Sequence, residues 1–276
     1  MNESSENYAK IYNDFSLLLE YGERLIELQV GTKPSGSYQV YGERIFVKLL
    51  CHGKTLKRLS PTPGLQGASE LWDISSNYAI ARTLIETFDA LAYIAIENTD
   101  ELERDFRIKF WKLHSEARRL KMLTLIGSQD PRVEGVRQDV ENYRAEILAH
   151  EHLKKCGAEL RKKIEKENYQ PYHLTQKQRN ERAGINNEYQ NSVTMHLSSH
   201  VHTHPFSVFQ LVDFKAGDPE CLGLMSMGLQ YSTAYLAKAI VGVSAMFKPM
   251  VPSQSNEVSH LLELWERIIG NGIKSC

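Results

Sequence analysis

Cysteine is scarce and scattered. The 276-residue chain has four, Cys51, Cys156, Cys221 and Cys276, and no two form a CxxC pair. That spacing argues against a zinc ribbon or a disulfide scaffold and suits reduced thiols in a cytoplasmic protein. A surplus of one charge is also missing. Lys and Arg total 33 against 34 Asp and Glu, giving a net charge of −1. A globally basic nucleic-acid binder is therefore not indicated. The opening residues, MNESSENYAK, lack the basic start and apolar run of a secretory signal and are expected to be retained. GLQGAS lacks the lysine of a P-loop and the spacing of a dinucleotide fingerprint. No GxSxG nucleophile elbow occurs. Long apolar runs are confined to Cys221–Phe247, where Lys238 is the only charge. That stretch is long enough to span a bilayer. However, it carries Ser226, Gln230, Ser232, Thr233, Ser244 and several glycines. A helix buried on all sides explains it without a membrane.

What is present is a globular composition, 42% apolar and 24% charged. Apolar positions recur at helical spacing and strand-like alternation is rare, which predicts an all-α bundle of about ten helices. The expected helices run over 4–29, 40–59, 68–98, 98–127, 130–167, 175–184, 186–202, 218–247 and 255–269. The SPTPGLQG stretch should break the chain, and FSVFQLVDF should form a short turn. Asn98 or Thr99 is the expected cap of the fourth helix, and Asp130 that of the fifth. A single helical domain over 1–276 is expected, with 70–98, 186–204 and 220–247 as core helices. Residues 100–168 hold 16 basic and 14 acidic side chains. This near-balance predicts a flanking antiparallel hairpin with solvated faces, not a nucleic-acid surface.

Two groups of polar residues do not fit simple packing. Arg82 is the one basic residue of an apolar helix, with Glu86 at i+4, Asp89 at i+7 and Tyr78 a turn earlier, all on one face. This group reads either as an anion site, with Glu86 as base or metal ligand, or as an ion pair fixing helix register. The second group is MHLSSHVHTH. His196 and His200 at i,i+4 could face one metal ion, with His204 bending back from the helix end and Glu86 or Asp89 adding a carboxylate. Ser198 and His202, also i,i+4, place a hydroxyl beside an imidazole. The bland reading is histidines attracted to a helix C-terminus. The spacings Arg107 to His114 and Arg144 to His150, which suit RNA-cleaving helical toxins, are no commoner than chance predicts.

IARTLIE, with Arg82 and Glu86, and Tyr189 followed by LSSHVH, with Ser198 and His202, resemble a family of bacterial all-helical proteins of unknown function. The basic segment LTQKQRNERAG suits it too, and the likeness covers roughly residues 70–210. The resemblance implies a helical fold with the Arg/Glu and Ser/His elements close together. It implies no activity.

Two functions remain open. In one, a pocket binds an anionic small molecule or nucleotide through Arg82. His202 acts as general acid–base, Ser198 orients it, and the chemistry is hydrolytic, with or without a divalent metal ion. In the other, these groups form a buried network and the protein acts through a partner-binding face or as a homodimer.

Overall fold

The computed structural model describes residues 3–64, 72–202, 204–213, 215–248 and 250–272. Among them are twelve α-helices and no strand. They belong to two compact units, Met1–Ile96 with Asn180–Cys276, and Glu97–Arg179. No helix among the described residues is long and apolar enough to cross a membrane.

The larger unit is built around α11 (Pro219–Met246). Asp218 precedes it and Pro219 occupies its first turn, where a missing N–H costs nothing. Buried residues cover most of its circumference, from Cys221 and Leu222 to Ile240 and Val243, while Glu220, Gly223 and Ala245 are exposed along one edge. Packed against it are α1 (Glu3–Glu27), α2 (Ser37–Leu59), α3 (Ile74–Leu91) and α12 (Asn256–Asn271). Each offers one apolar stripe. On α1 it is Tyr8, Ile11, Phe15, Leu18 and Leu25, at the three-to-four spacing of a helix face.

Alongside α3 and α11, α1 and α2 contribute buried apolar residues to this unit. The start expected at Ala68 lies outside the described residues. Asp73 caps α3 by accepting from the Ser76 amide at 2.8 Å. The helix expected to continue to Asn98 loosens into a π segment at Ala92–Ile96. Two glycines lie against that segment. A Cβ on Gly42 would sit 2.7 Å from Ala95, and one on Gly242 would sit 2.4 Å from Ile96. The widened backbone fits because its neighbours have no side chain.

Further along, α9 (Asn187–Val201) packs along α3. Asn186 caps it, accepting from the Tyr189 amide at 2.9 Å, while its own amide donates to Ile269 of α12 at 2.8 Å. FSVFQLVDF is not a turn: α10 runs Pro205–Asp213, since Pro205 can occupy a first helical position.

In the smaller unit, α4 (Glu101–Leu125) and α5 (Arg132–Ala149) pair antiparallel. The Asp105–His150 and Lys109–Glu146 contacts show the direction. Phe106, Phe110, Leu113, Val140, Ile147, Leu153 and Ile164 form its core. The cap of α4 is Asp100, not Asn98 or Thr99, and it accepts from the Glu103 amide at 2.7 Å. The fifth helix does not run to Glu167. His150 leaves helical geometry and Gly157 takes φ 83°, so α6 (Glu151–Lys155) and α7 (Ala158–Glu165) are separate. Then α8 (Gln176–Ala183) starts at Thr175 and stops before Gly184, as expected.

Replacing Gly242 by Ala should overpack the π segment and destabilise the chain by about 1–3 kcal/mol. Gly135→Ala in α5, with nothing within 4 Å of the new methyl, should be neutral or stabilise by up to about 1 kcal/mol. Chemical unfolding of the two variants checks the contrast. Equal midpoints would remove the role given to close approach at Gly242.

Candidate functional site

The side chains of Arg82 and Glu86 on α3 and of Ser198 and His202 at the end of α9 meet at one place. Arg82 Nε donates to Glu86 Oε1 at 2.9 Å. Its Nη1 donates to Ser198 Oγ at 3.0 Å and lies 3.3 Å from His202 Nε2. A guanidinium has only donors, so Nε2 accepts from Nη1 in the tautomer that carries its proton on Nδ1. Ser198 donates its own proton to the Thr194 carbonyl. Its lone pairs are thus turned to Arg82. The hydroxyl orients the arginine and not, as expected, the imidazole.

The remaining nitrogen of Arg82, Nη2, makes no hydrogen bond among the described residues. The cluster is open to water: the side chain of Arg82 is 27% exposed and that of Glu86 61%. His202 is exposed as well. It is the C-cap of α9 and its amide closes on the Ser198 carbonyl at 3.0 Å. A helix end therefore fixes where the ring can go.

Arg107, on α4, shows what a structural arginine looks like in this chain. It is 1% exposed and lies between Glu97, 2.8 Å away, and Glu103, 2.6 Å away. His114, seven residues further along α4, pairs through Nδ1 with the Tyr169 carbonyl at 2.9 Å.

The other face of α9 is aromatic. His200 is buried, with its ring 4.5 Å from Tyr78 and 6.4 Å from Phe206. His196 lies 5.1 Å from Tyr78, and its Nδ1 is 3.4 Å from the Tyr231 hydroxyl. Tyr78 itself donates to the Leu224 carbonyl at 3.0 Å, and burial pushes its phenol well above the ordinary range. Asp89 is buried lower on α3.

The three histidines expected to share a metal ion, His196, His200 and His204, are not gathered into one ligand group. The ring of His204 lies beside His202 instead, at 5.8 Å. The helix wheel explains this. His200 and His196 face inward, and the chain beyond His202 turns into α10 rather than back along α9. Among the described residues, one group of three ligand-type side chains has donor atoms within 4.8 Å of one another: His152, Cys156 and His173. Sequence reasoning passed over it. The visible signal was the i,i+4 pair His152–Cys156.

The family model for DUF5677, a family of unknown function, matches residues 68–219. That is more than half of the chain, and the chain belongs to this family. The match spans both helices that carry the Arg82 cluster. No curated protein and no solved structure matches the chain.

Burial pushes the imidazoles of His196 and His200 below their ordinary value of 6.5, and His196 adds to the effect on His200. Gln210 opposes it weakly at His200, with no hydrogen bond closing between the two. The sign follows. Well above pH 6.5 both rings are neutral in folded and unfolded chains and contribute nothing to pH dependence. As pH falls through about 6.5 the unfolded chain takes up protons first, so stability is lost. Thermal melts should drop between about pH 7.5 and 5.5, and His200→Leu should flatten part of that slope. Parallel slopes in the two proteins would show that His200 does not carry it.

Proposed function

We propose that this member of a family of unknown function binds a small phosphate- or carboxylate-type anion at Arg82. In this reading His202 exchanges protons with the bound molecule in a hydrolytic reaction. The observation that carries the reading is the state of Arg82. It is held by Glu86, Ser198 and His202 from two helices, yet it stays open to solvent with Nη2 unbonded. An arginine that only fixes helix register is better served by enclosure, as Arg107 is.

The chemistry follows from the geometry. Glu86 and Ser198 hold the guanidinium plane, so less freedom is lost when an anion docks on its open edge. A phosphate offers two oxygens to the fork. When Nη1 turns to the anion, His202 Nε2 is released as an acceptor beside it. There it can take a proton from an attacking water and return it to the leaving oxygen. Glu86 acts in this scheme as a positioning residue for Arg82. A nucleotide-type phosphate suits the charge.

The test is heat unfolding against increasing pyrophosphate. Above the dissociation constant the midpoint should rise with the logarithm of concentration, by an amount equivalent to about 2.7 kcal/mol at a hundred times that constant. Arg82→Ala should abolish the rise. Arg82→Lys should keep only part of it, because an ammonium lacks the fork. A rise that persists in Arg82→Ala would sink the reading.

One observation favours the non-catalytic alternative. On α10 and the adjoining α9, Phe206 is 54% exposed, Phe209 68% and Met195 73%. Such an apolar group suits a second copy of the chain. Sedimentation should then show a concentration-dependent dimer that weakens in a Phe206→Glu, Phe209→Glu variant. A monomer at all concentrations removes this alternative.

A further inference from the structure

We propose that His152, Cys156 and His173 form a binding site for a zinc-class divalent cation within the unit Glu97–Arg179. This site is separate from the Arg82 cluster and does not depend on the anion reading.

The three donor atoms lie within 4.8 Å of one another. Tetrahedral zinc, with Zn–N near 2.0–2.1 Å and Zn–S near 2.3 Å, needs donors roughly 3.3–3.6 Å apart. Side-chain torsions can close that gap without moving the backbone. His152 and Cys156 are one helical turn apart on α6, and Cys156, its C-cap, keeps right-handed helical geometry at φ −82°. Both side chains therefore leave the same face. His173 arrives from the segment between α7 and α8, its ring 5.6 Å from that of His152 and nearly perpendicular to it.

Two further observations point to a ligand. His152 is 7% exposed, and its Nδ1 is enclosed with no hydrogen-bond partner. A buried polar atom left in that state costs free energy that a metal bond would recover. Phe106 lies 5.0 Å from the His152 ring and 5.2 Å from the His173 ring, forming an apolar wall of the kind that surrounds metal sites. The donor set, one thiolate and two imidazoles, suits zinc better than magnesium or calcium. Three protein ligands leave a fourth position for water.

Binding balances simply. The Cys156 thiol donates to the His152 carbonyl, 3.4 Å away. As the metal–sulfur bond forms, the thiol proton passes to solvent, and both imidazoles bind in their neutral forms. The ion ties α6 to the segment before α8 in a unit whose core is small. Small units gain most from such a tie.

The test titrates cobalt(II), a spectroscopic stand-in for zinc, into the full-length protein after chelator treatment. One equivalent should produce thiolate-to-cobalt charge-transfer absorption in the near ultraviolet and the strong visible bands of a four-coordinate ion. Zinc should bleach both. Cys156→Ser should lose the charge-transfer absorption, and His173→Ala should weaken affinity at least tenfold. Because His152 is buried and its replacement also disturbs the core around Phe106, His173 carries the second arm. Cys51→Ser and Cys221→Ser should leave the spectrum unchanged, as should a His196→Ala, His200→Ala variant. Absence of charge transfer in the parent protein, its survival in Cys156→Ser, or its loss in the α9 variant each overturns the proposal.

Discussion

The fold depends on enclosing α11. Most of its circumference is buried and only a narrow edge, with Glu220, Gly223 and Ala245, meets water, so its neighbours must come close. Glycine makes that possible at two levels. A Cβ on Gly228 would lie 2.1 Å from the amide oxygen of Asn77 on α3, and one on Gly242 would lie 2.4 Å from Ile96. With α3 drawn against α11 at these points, its opposite side is presented to α9. Arg82 lies little more than one turn beyond Asn77 on α3, so the approach at Gly228 bears on where it stands relative to Ser198 and His202.

The two arginines contrasted above divide the polar chemistry of the chain. Arg107 is surrounded, nearly inaccessible, and satisfied by carboxylates from its own stretch of sequence. Arg82 is held by a hydroxyl and an imidazole at the end of a second helix and by one exposed carboxylate. Both are held in place, but only the second faces a medium from which something can bind. The two faces of α9 carry the same distinction. Tyr78, His196 and His200 pack as an aromatic layer, and Ser198 and His202, two positions further along, reach the solvent edge.

Much of this was legible in the sequence, for identifiable reasons. The helix from Pro219 announces itself through Asp218, Pro219 and unbroken apolarity. Arg82, Glu86, Ser198 and His202 stand out because i,i+4 pairs of polar residues have no place on otherwise apolar faces. Bringing the two pairs together required the resemblance of two short motifs, since spacing within one helix says nothing about its neighbour. The breaks at His150 and Gly157 were hidden because charged residues continue at helical spacing straight across them. The π segment was hidden because its cause lies in Gly42 and Gly242, far away in sequence. FSVFQLVDF read as a turn through its position between a histidine run and GDPE, although its own residues form a helix. His173 could not be joined to His152 and Cys156, because it sits on an irregular segment with no periodicity to place it.

The triad around Arg107 makes substitution in the smaller unit asymmetric. One guanidinium serves two carboxylates, Glu97 and Glu103. Replacing either acid with a neutral residue still leaves a matched cation and anion. Replacing the arginine first removes the cation that both acids share in an apolar enclosure. The order of change is therefore constrained: sequences can drift at Glu97 or Glu103 singly, whereas Arg107 can be given up only after both have gone. A lineage that holds the arginine with one acid is on a passable route, and one that holds both acids without it is not.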